Sequence, residues 1–148
     1  MNIDSSAPNA VAHEWLKEQG CTLIRPEFTC GNSRFDFYAE HNGQRCMIEV
    51  KGCTLEREYI GYFPDAPTER GAKHLRELAR LCSEGYKCYV MFVIQMNGVF
   101  TVCPNIDIDP VFTAEYKAAL KAGVTPLFLP CRTERDRLTH DAERSPQL

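Results

Sequence analysis

The fold of this chain is decided by residues 33–51, SRFDFYAEHNGQRCMIEVK. The first half of this stretch predicts a strand, because apolar and polar residues alternate and the apolar ones then share one face of a sheet. The residues predicted to share that face are Phe35, Phe37 and Ala39. The next three residues, His41-Asn42-Gly43, are typical of a tight hairpin turn. Residues 45–51 follow as a second strand, so the sequence predicts two adjacent strands joined by this turn.

The segments on either side of the hairpin give an α/β pattern. Apolar residues recur at helical spacing in three segments, which predict helices over residues 8–19, 67–84 and 110–123. Short apolar runs bounded by turn residues predict further strands over residues 22–28, 88–96, 99–103 and 124–129. The intervening residues 61–67, rich in glycine, proline and aromatic residues, predict a loop. We therefore expect an α/β fold with a central mixed sheet flanked by helices.

The length of the chain, 148 residues, predicts one domain, with little room for a second. We assign residues 1–130 to this domain. Residues 131–148 are charged and aperiodic, and they are predicted to form a frayed tail.

Composition and charge exclude several classes of protein. The longest apolar run, Val90–Ile94, is far shorter than the ~18 residues of a membrane span, so no membrane association is expected. The first residues contain no basic segment followed by an apolar one, so a cytoplasmic location is expected. The net charge of −3 excludes a protein whose only task is to coat nucleic acid, since such proteins are strongly basic.

The eight cysteines are expected to be reduced and mostly structural. They form no C-x-x-C pair, which argues against a structural zinc site. A disulfide framework is typical of exported proteins, and no export signal is predicted here. Cys46, Cys88 and Cys103 fall within strand-like runs, where a free thiol behaves as a small apolar side chain.

Three charged residues of the hairpin predict a reactive site. Glu49 and Lys51 are two apart on one strand, so their side chains leave the same face, and a suitable register places Asp36 beside them. Two carboxylates can hold Mg²⁺ or Mn²⁺, and a lysine can orient or deprotonate water and stabilise developing negative charge. This combination suits hydrolysis of a phosphodiester bond. Solvated surface charges or a cross-strand salt bridge would give the same spacing, so the pattern alone leaves both interpretations open.

The second predicted helix adds a basic surface next to a loop. Arg70 and Lys73 share its polar side, and His74 lies at the edge of that side. A helix N-terminus favours phosphate, although a charged helix face is most often simply solvated. His74 can be a histidine at the edge of the core, a phosphate contact or a proton carrier.

Four segments together resemble the sugar fermentation stimulation protein A (SfsA) family. They are Asn9-x-Val11-x-x-Glu14, Ser33–Phe37 (SRFDF), Ile48–Leu55 (IEVKGCTL) and Phe63–Leu78 (FPDAPTERGAKHLREL). The resemblance covers residues 9 to 130, and the last of these motifs is long and specific. It implies the restriction-endonuclease-like core of the PD-(D/E)xK superfamily, whose signature is an aspartate followed by Glu-x-Lys.

The resemblance also assigns roles to residues. The implied catalytic residues are Asp36, Glu49 and Lys51. The implied ligands of a divalent metal, Mg²⁺ or Mn²⁺, are Glu14, Asp36, Glu49 and Val50. The implied DNA-binding residues are Arg34, Arg70, Lys73 and His74. Typical members carry an N-terminal β-barrel of the OB type before this region, and we expect it to be missing here, which weakens the expectation of tight DNA binding.

Two functions follow as the leading expectations. The first is a metal-dependent nuclease that hydrolyses phosphodiester bonds in DNA, with RNA as a second possible substrate. The alternative is a non-catalytic protein that binds DNA without sequence specificity and has a regulatory role in sugar metabolism. A third option is an interaction domain on a nuclease fold that has lost its activity, because fold alone does not establish function.

Overall fold

The computed structural model describes residues 6–148 of the chain. Its helices are α1 (Ala7–Lys17), α2 (Glu69–Ser83) and α3 (Pro110–Ala122). Its strands are β1 (Leu23–Cys30), β2 (Ser33–His41), β3 (Gln44–Cys53), β4 (Leu55–Arg57), β5 (Ile60–Phe63), β6 (Lys87–Ile94), β7 (Val102–Pro104), β8 (Thr125–Glu134) and β9 (Arg137–His140).

Six of these strands form the main sheet, in the order β1-β2-β3-β6-β8-β9. The strands β3, β6 and β8 run parallel, whereas the pairs β1-β2, β2-β3 and β8-β9 are antiparallel. The sheet is therefore mixed, as the sequence predicted. The crossover from β3 to β6 contains α2, and the crossover from β6 to β8 contains α3.

The two long helices begin at residues that satisfy free backbone N–H groups. The Thr68 side chain accepts a hydrogen bond from Gly71 N at 3.0 Å at the start of α2. The Asp109 side chain accepts one from Phe112 N at 2.9 Å at the start of α3. Side-chain oxygens in this position stabilise the first helical turn, which explains where both helices begin.

Two apolar cores lie on opposite faces of the sheet. One core contains Leu75 and Leu78 of α2 together with Phe112 of α3, and the other contains Val11 and Trp15 of α1. Strand β6 contributes side chains to both cores, because it is covered by helices on both faces. This double burial explains its continuous apolar sequence.

The predicted hairpin is confirmed. Asn42 and Gly43 form a two-residue turn with φ values of 50° and 76°, the positive values that such a turn requires. The strands on either side pair from His41 with Gln44 up to Phe37 with Ile48.

The predicted alternation along β2 is wrong at one point. Phe37 and Ala39 lie in the core beneath α1, as predicted, but Phe35 lies in the other core beneath α2. The regular pairing of β2 is interrupted at Asp36, since the pairs recorded on its β1 side are Pro26 with Phe37 and Phe28 with Phe35. The strand therefore changes face at Asp36.

A second, three-stranded sheet has the order β4-β5-β7, and the sequence did not predict it in full. Residues 61–63 of the predicted loop belong to β5, which pairs with β4 and β7. The predicted strand over residues 99–103 is shifted, because β7 covers only Val102–Pro104. These strands have three or four residues each, too few for periodicity to be visible in the sequence.

The frayed tail predicted over residues 131–148 is wrong for its first ten residues. Strand β8 continues to Glu134, and β9 folds back against it to form the edge of the main sheet. Cys131 and Leu138 are buried in the core beneath α1. The charged residues that suggested a tail alternate with these buried ones, which is the pattern of a strand at a sheet edge.

The last residues also contact α1. Trp15 is 1% exposed, and its Nε1 donates a hydrogen bond to the carbonyl oxygen of Pro146 at 2.9 Å. The backbone N–H of Leu148 lies 3.3 Å from Oε1 of Gln19.

We expect Trp15→Phe to lower the free energy of unfolding by about 1 kcal/mol, because the partly buried carbonyl of Pro146 loses its donor while most of the apolar contact remains. Chemical denaturation followed by far-ultraviolet circular dichroism measures this difference. The same substitution in a chain shortened by residues 146–148 should cost less, since the acceptor is then absent. Equal costs in both chains would show that this hydrogen bond does not stabilise the fold.

Two further properties concern the described part of the chain as a whole. None of its helices combines the length and the apolarity needed to cross a membrane. The eight cysteines are all free thiols.

Candidate active site

The three charged residues predicted from the hairpin converge on one side of the main sheet. Asp36 lies on β2 immediately beyond the last recorded pair with β3, and Glu49 and Lys51 lie on β3. All three interact electrostatically or through hydrogen bonds with one another. A fourth residue, His74 of α2, contacts this group from the helix above.

Asp36 is held by two neighbouring elements. Its Oδ2 accepts a hydrogen bond from Val50 N of β3 at 2.7 Å, and its Oδ1 accepts one from Asn9 Nδ2 of α1 at 2.9 Å. Burial raises the pKa of this carboxyl group, but hydrogen bonds from Glu49, Val50 and Asn9 outweigh the effect of burial. The pKa of Asp36 therefore lies below its usual value, and the group is a carboxylate at neutral pH.

Glu49 is the deeply buried member of the site, with 2% of its surface exposed. Burial, followed by a hydrogen bond to Asp36, raises the pKa of Glu49 to about 9. Its Oε2 is one of the buried side-chain atoms without a hydrogen-bond partner among the described residues, although His74 Nδ1 lies in close contact with it. In the absence of a bound metal, Glu49 is thus a neutral acid beside a charged aspartate. Its Oε2 atom has the close contact with His74 but no regular hydrogen bond.

The two basic groups are also shifted by burial. Burial lowers the pKa of Lys51, and the attraction of Glu49 and Asp36 offsets only part of this. Burial and the positive charges of Lys51 and Arg70 lower the pKa of His74 to about 4. His74 is therefore neutral near pH 7, and its Nδ1 lies 3.5 Å from Lys51 Nζ.

His74 was predicted among the residues that face DNA, and the structure places its side chain on the buried side of α2. The residue is 7% exposed, because it lies on the buried stripe of α2 between Gly71 and Leu78. The sequence itself indicated this burial, because His74 lies three residues after Gly71 and four before Leu78, and residues at this spacing share one face of a helix. This placement agrees with the first of the three options left open for His74, a histidine at the edge of the core.

The structure does not bring Glu14 to the site. Its side chain is exposed, pairs with Lys17 at 3.3 Å and lines a groove between α1 and β9. Asn9 is the residue by which α1 reaches the site, and it was not predicted. The two residues are five apart on the helix, so their directions differ by about 140° and only one of them can face Asp36.

The remaining predicted DNA-binding residues are all exposed, but they lie in different places. Arg34 of β2 pairs with Glu27 of β1 at 2.9 Å. Arg70 and Lys73 of α2 lie close enough to the site to lower the pKa of His74, and Arg70 also lowers that of Lys51. The positive charge next to the site therefore comes from the start of α2.

The site offers a small number of possible metal ligands. Among residues 6–148 no group of three or more His, Cys, Asp or Glu side chains is arranged to hold a metal ion. Asp36 and Glu49 supply carboxylate oxygens, which hard divalent cations prefer, and such cations keep several waters when few protein ligands are present. The arrangement can thus bind a hydrated divalent cation beside a lysine whose pKa is lowered.

Comparison with known proteins gives a consistent result. A family model described as the sugar fermentation stimulation protein RE domain matches residues 6–137. A sugar fermentation stimulation protein homolog of Desulfitobacterium hafniense is 45% identical over 141 residues, which cover 93% of this chain and 62% of the relative. A homolog of Clostridium beijerinckii is 46% identical over 142 residues, which cover 93% of this chain and 63% of the relative.

One solved structure is similar over most of the fold. It is the structure of Pyrococcus furiosus SfsA in complex with Ca²⁺, with a TM-score of 0.78 and 29% identity over 88% of this chain and 57% of that chain. The restriction-endonuclease-like fold predicted from the sequence is confirmed. The chain spans less than two thirds of the length of these relatives.

Proposed function

The chain belongs to the sugar fermentation stimulation protein (SfsA) family, and on this premise we propose that it is a metal-dependent nuclease that hydrolyses phosphodiester bonds in DNA. The observation that carries the proposal is the convergence of Asp36, Glu49 and Lys51 on one side of the sheet. Two acidic side chains and a lysine in a largely buried place cost free energy, mainly through desolvation. A cation and a phosphate substrate would use all three.

The residues of the site fit a divalent cation. Asp36 and Glu49 now share a hydrogen bond that requires one of them to be protonated, and Glu49 Oε2 has no proper partner. A divalent cation would replace the shared proton and give this buried oxygen a partner. We assign Asp36, Glu49 and the backbone carbonyl of Val50 as ligands of Mg²⁺ or Mn²⁺. The Ca²⁺ complex of the Pyrococcus furiosus relative supports a site for a divalent cation.

Each residue of the site has a role in this mechanism. A bound divalent cation supplies charge that polarises the scissile phosphate and lowers the pKa of a water molecule. Val50 N and Asn9 hold the Asp36 carboxylate in a fixed orientation. Lys51 would orient the attacking water and, as the neutral amine that its lowered pKa favours, would take a proton from that water. The ammonium group formed in this way would stabilise the negative charge that develops on phosphate oxygens.

The exposed basic residues near the site support DNA as the substrate. Arg70 and Lys73 lie at the start of α2, where the backbone N–H groups of the first turn also favour phosphate. These residues would bind the DNA backbone, which carries no sequence information. They equally support the alternative function, a protein that binds DNA without cutting it.

Incubation of the chain with double-stranded DNA, single-stranded DNA and RNA tests the proposal. We expect cleavage of DNA with Mg²⁺ or Mn²⁺ and none with a chelator in excess, because Asp36 and Glu49 alone leave the phosphate charge uncompensated. Glu14→Gln is the matched control, since it removes an exposed carboxylate of α1 away from the site. This variant should cleave at the rate of the wild type.

Three outcomes would contradict the proposal in different ways. Cleavage that persists in the chelator would exclude metal dependence. Retardation of DNA with no cleavage under any condition, weakening steeply with salt, would favour the non-catalytic DNA-binding protein. Cleavage of RNA alone would change the substrate and leave the chemistry of the site intact.

A further inference from the structure

His74 occupies a position that packing alone does not explain. The neighbouring positions on the buried stripe of α2 are Gly71, Ala72, Leu75 and Leu78, all without polar side chains. A buried imidazole in such a stripe costs free energy unless its nitrogens are bound. The contacts made by His74 are therefore informative about why a polar ring is present.

The polar contacts of His74 are with two of the three predicted catalytic residues. One ring atom, Nδ1, lies in close contact with Glu49 Oε2 and 3.5 Å from Lys51 Nζ. Glu49 and Lys51 leave the same face of β3, two residues apart, so the ring lies against both side chains. Asp36 also interacts with both end groups, from β2, whereas His74 contacts them from α2.

The His74 ring is held in place by its own helix and by a neighbouring aromatic ring. It belongs to a regular helix that begins at a side-chain cap, and Phe35 of β2 lies against it with the ring centroids 6.3 Å apart. Phe35 is the residue that changes face next to Asp36. The imidazole is thus fixed relative to the sheet before any substrate or metal binds.

From this geometry we propose that His74 is a positioning residue, whose Nδ1 edge fixes the Glu49 carboxyl group and the Lys51 ammonium group relative to each other. The inference rests on the proposed nuclease function for its kinetic consequence. It does not assign His74 a contact with DNA or with the reacting atoms. Groups that orient metal ligands from behind commonly change metal affinity or activity by about 10- to 100-fold when removed.

Three substitutions of His74 separate this role from simple packing. His74→Asn keeps a polar atom where Nδ1 lies, His74→Gln moves the polar atoms toward the place of Nε2, and His74→Leu keeps apolar volume only. Leu78→Met is the matched control, since it alters packing on the same buried stripe of α2 and leaves the polar contacts of His74 in place. Thermal unfolding is measured for every variant, so that only folded variants are compared.

We expect the Leu and Gln variants to lose about 10- to 100-fold in Mn²⁺ affinity by calorimetry, and the Asn variant to retain most of it. In the cleavage assay the same two variants should lose kcat with KM little changed. The Leu78→Met chain should resemble the wild type in both measurements.

The two assays distinguish this inference from the proposed function. Suppose that the wild type binds Mn²⁺ but does not cleave DNA, while the Asn variant keeps its Mn²⁺ affinity and the Leu and Gln variants lose it. The nuclease function then fails and the positioning role stands. Equal Mn²⁺ affinities in the His, Asn and Leu chains would overturn the positioning role, as would a wild type without measurable affinity. A loss confined to KM would also overturn it, since that is the result expected of a surface DNA contact.

Discussion

Lys51→Ala is expected to lower kcat for DNA cleavage by about 10³-fold, the range typical of removing a group that transfers a proton or stabilises developing charge. The lysine is partly buried beside Glu49 and Asp36, so solvent cannot readily replace its ammonium group. Its removal takes one positive charge away from the two carboxylates, so Mn²⁺ affinity should be maintained or increased. Single-turnover cleavage rates and calorimetry measure the two effects separately.

Lys73→Ala is the matched control for this substitution. Lys73 is an exposed lysine on α2 near the same site, and it contributes to the charge around His74. Its loss should weaken DNA binding and reduce the salt dependence of that binding, with kcat largely preserved. A Lys51→Ala chain that cleaves within about tenfold of the wild type would remove Lys51 from the mechanism.

Glu49→Gln is expected to stabilise the metal-free protein at alkaline pH. The pKa of Glu49 is about 9 in the folded chain, against 4.5 for the unperturbed side chain. Because the folded state holds the proton more tightly, the stability that the protonated group provides is fully present below the unfolded pKa and is lost as the pH rises toward 9. Each pH unit between the two values changes the free energy of unfolding by at most ~1.4 kcal/mol.

Wild type and Glu49→Gln should therefore be similarly stable near pH 5, where both side chains are neutral, and the variant should be more stable by about 2–4 kcal/mol near pH 8. The difference between the two chains is the quantity to measure, because Lys51 and His74 titrate in both. Chemical denaturation of both chains in the presence of a chelator measures this difference in the free energy of unfolding. Adding Mn²⁺ should reverse the order, since a ligand bound to the folded state stabilises it.

The exposed carboxylate of Glu14 again provides the control. Glu14→Gln should not change stability by a comparable amount at either pH, because the carboxylate is exposed and pairs with Lys17 on the surface. If Glu49→Gln is less stable than the wild type near pH 8 without metal, then Glu49 is a well-paired carboxylate in the folded chain. The site would then have no need of a cation.

The hairpin and its charged residues could be predicted because their signals are local. An Asn-Gly turn fixes the register of the two strands, and the spacing of two residues between Glu49 and Lys51 fixes a common face. The convergence of Asp36, Glu49 and Lys51 follows from these two facts. The continuous apolar run of β6 similarly predicted burial on both faces.

The remaining features depend on contacts that the local sequence does not encode. Glu14 and Asn9 are both polar residues of α1, and only the docking angle of the helix decides which of them faces Asp36. The face change at Asp36 replaces regular pairing with side-chain hydrogen bonds, which no alternation pattern records. The strand β9 is charged because one side of it is exposed at a sheet edge, so composition alone suggested a tail.

Asp36 lies where the two layers of the molecule meet, since Phe35 before it is buried under α2 and Phe37 after it under α1. Its carboxylate is oriented by Asn9 of α1 and by the backbone N–H of Val50 in the sheet. A molecule in which α1 had separated from the sheet would keep most of its strands. The Asp36 carboxylate would, however, lose the hydrogen bond from Asn9 that orients it. Any hydrolysis by the site would therefore depend on the docking of α1 onto the sheet.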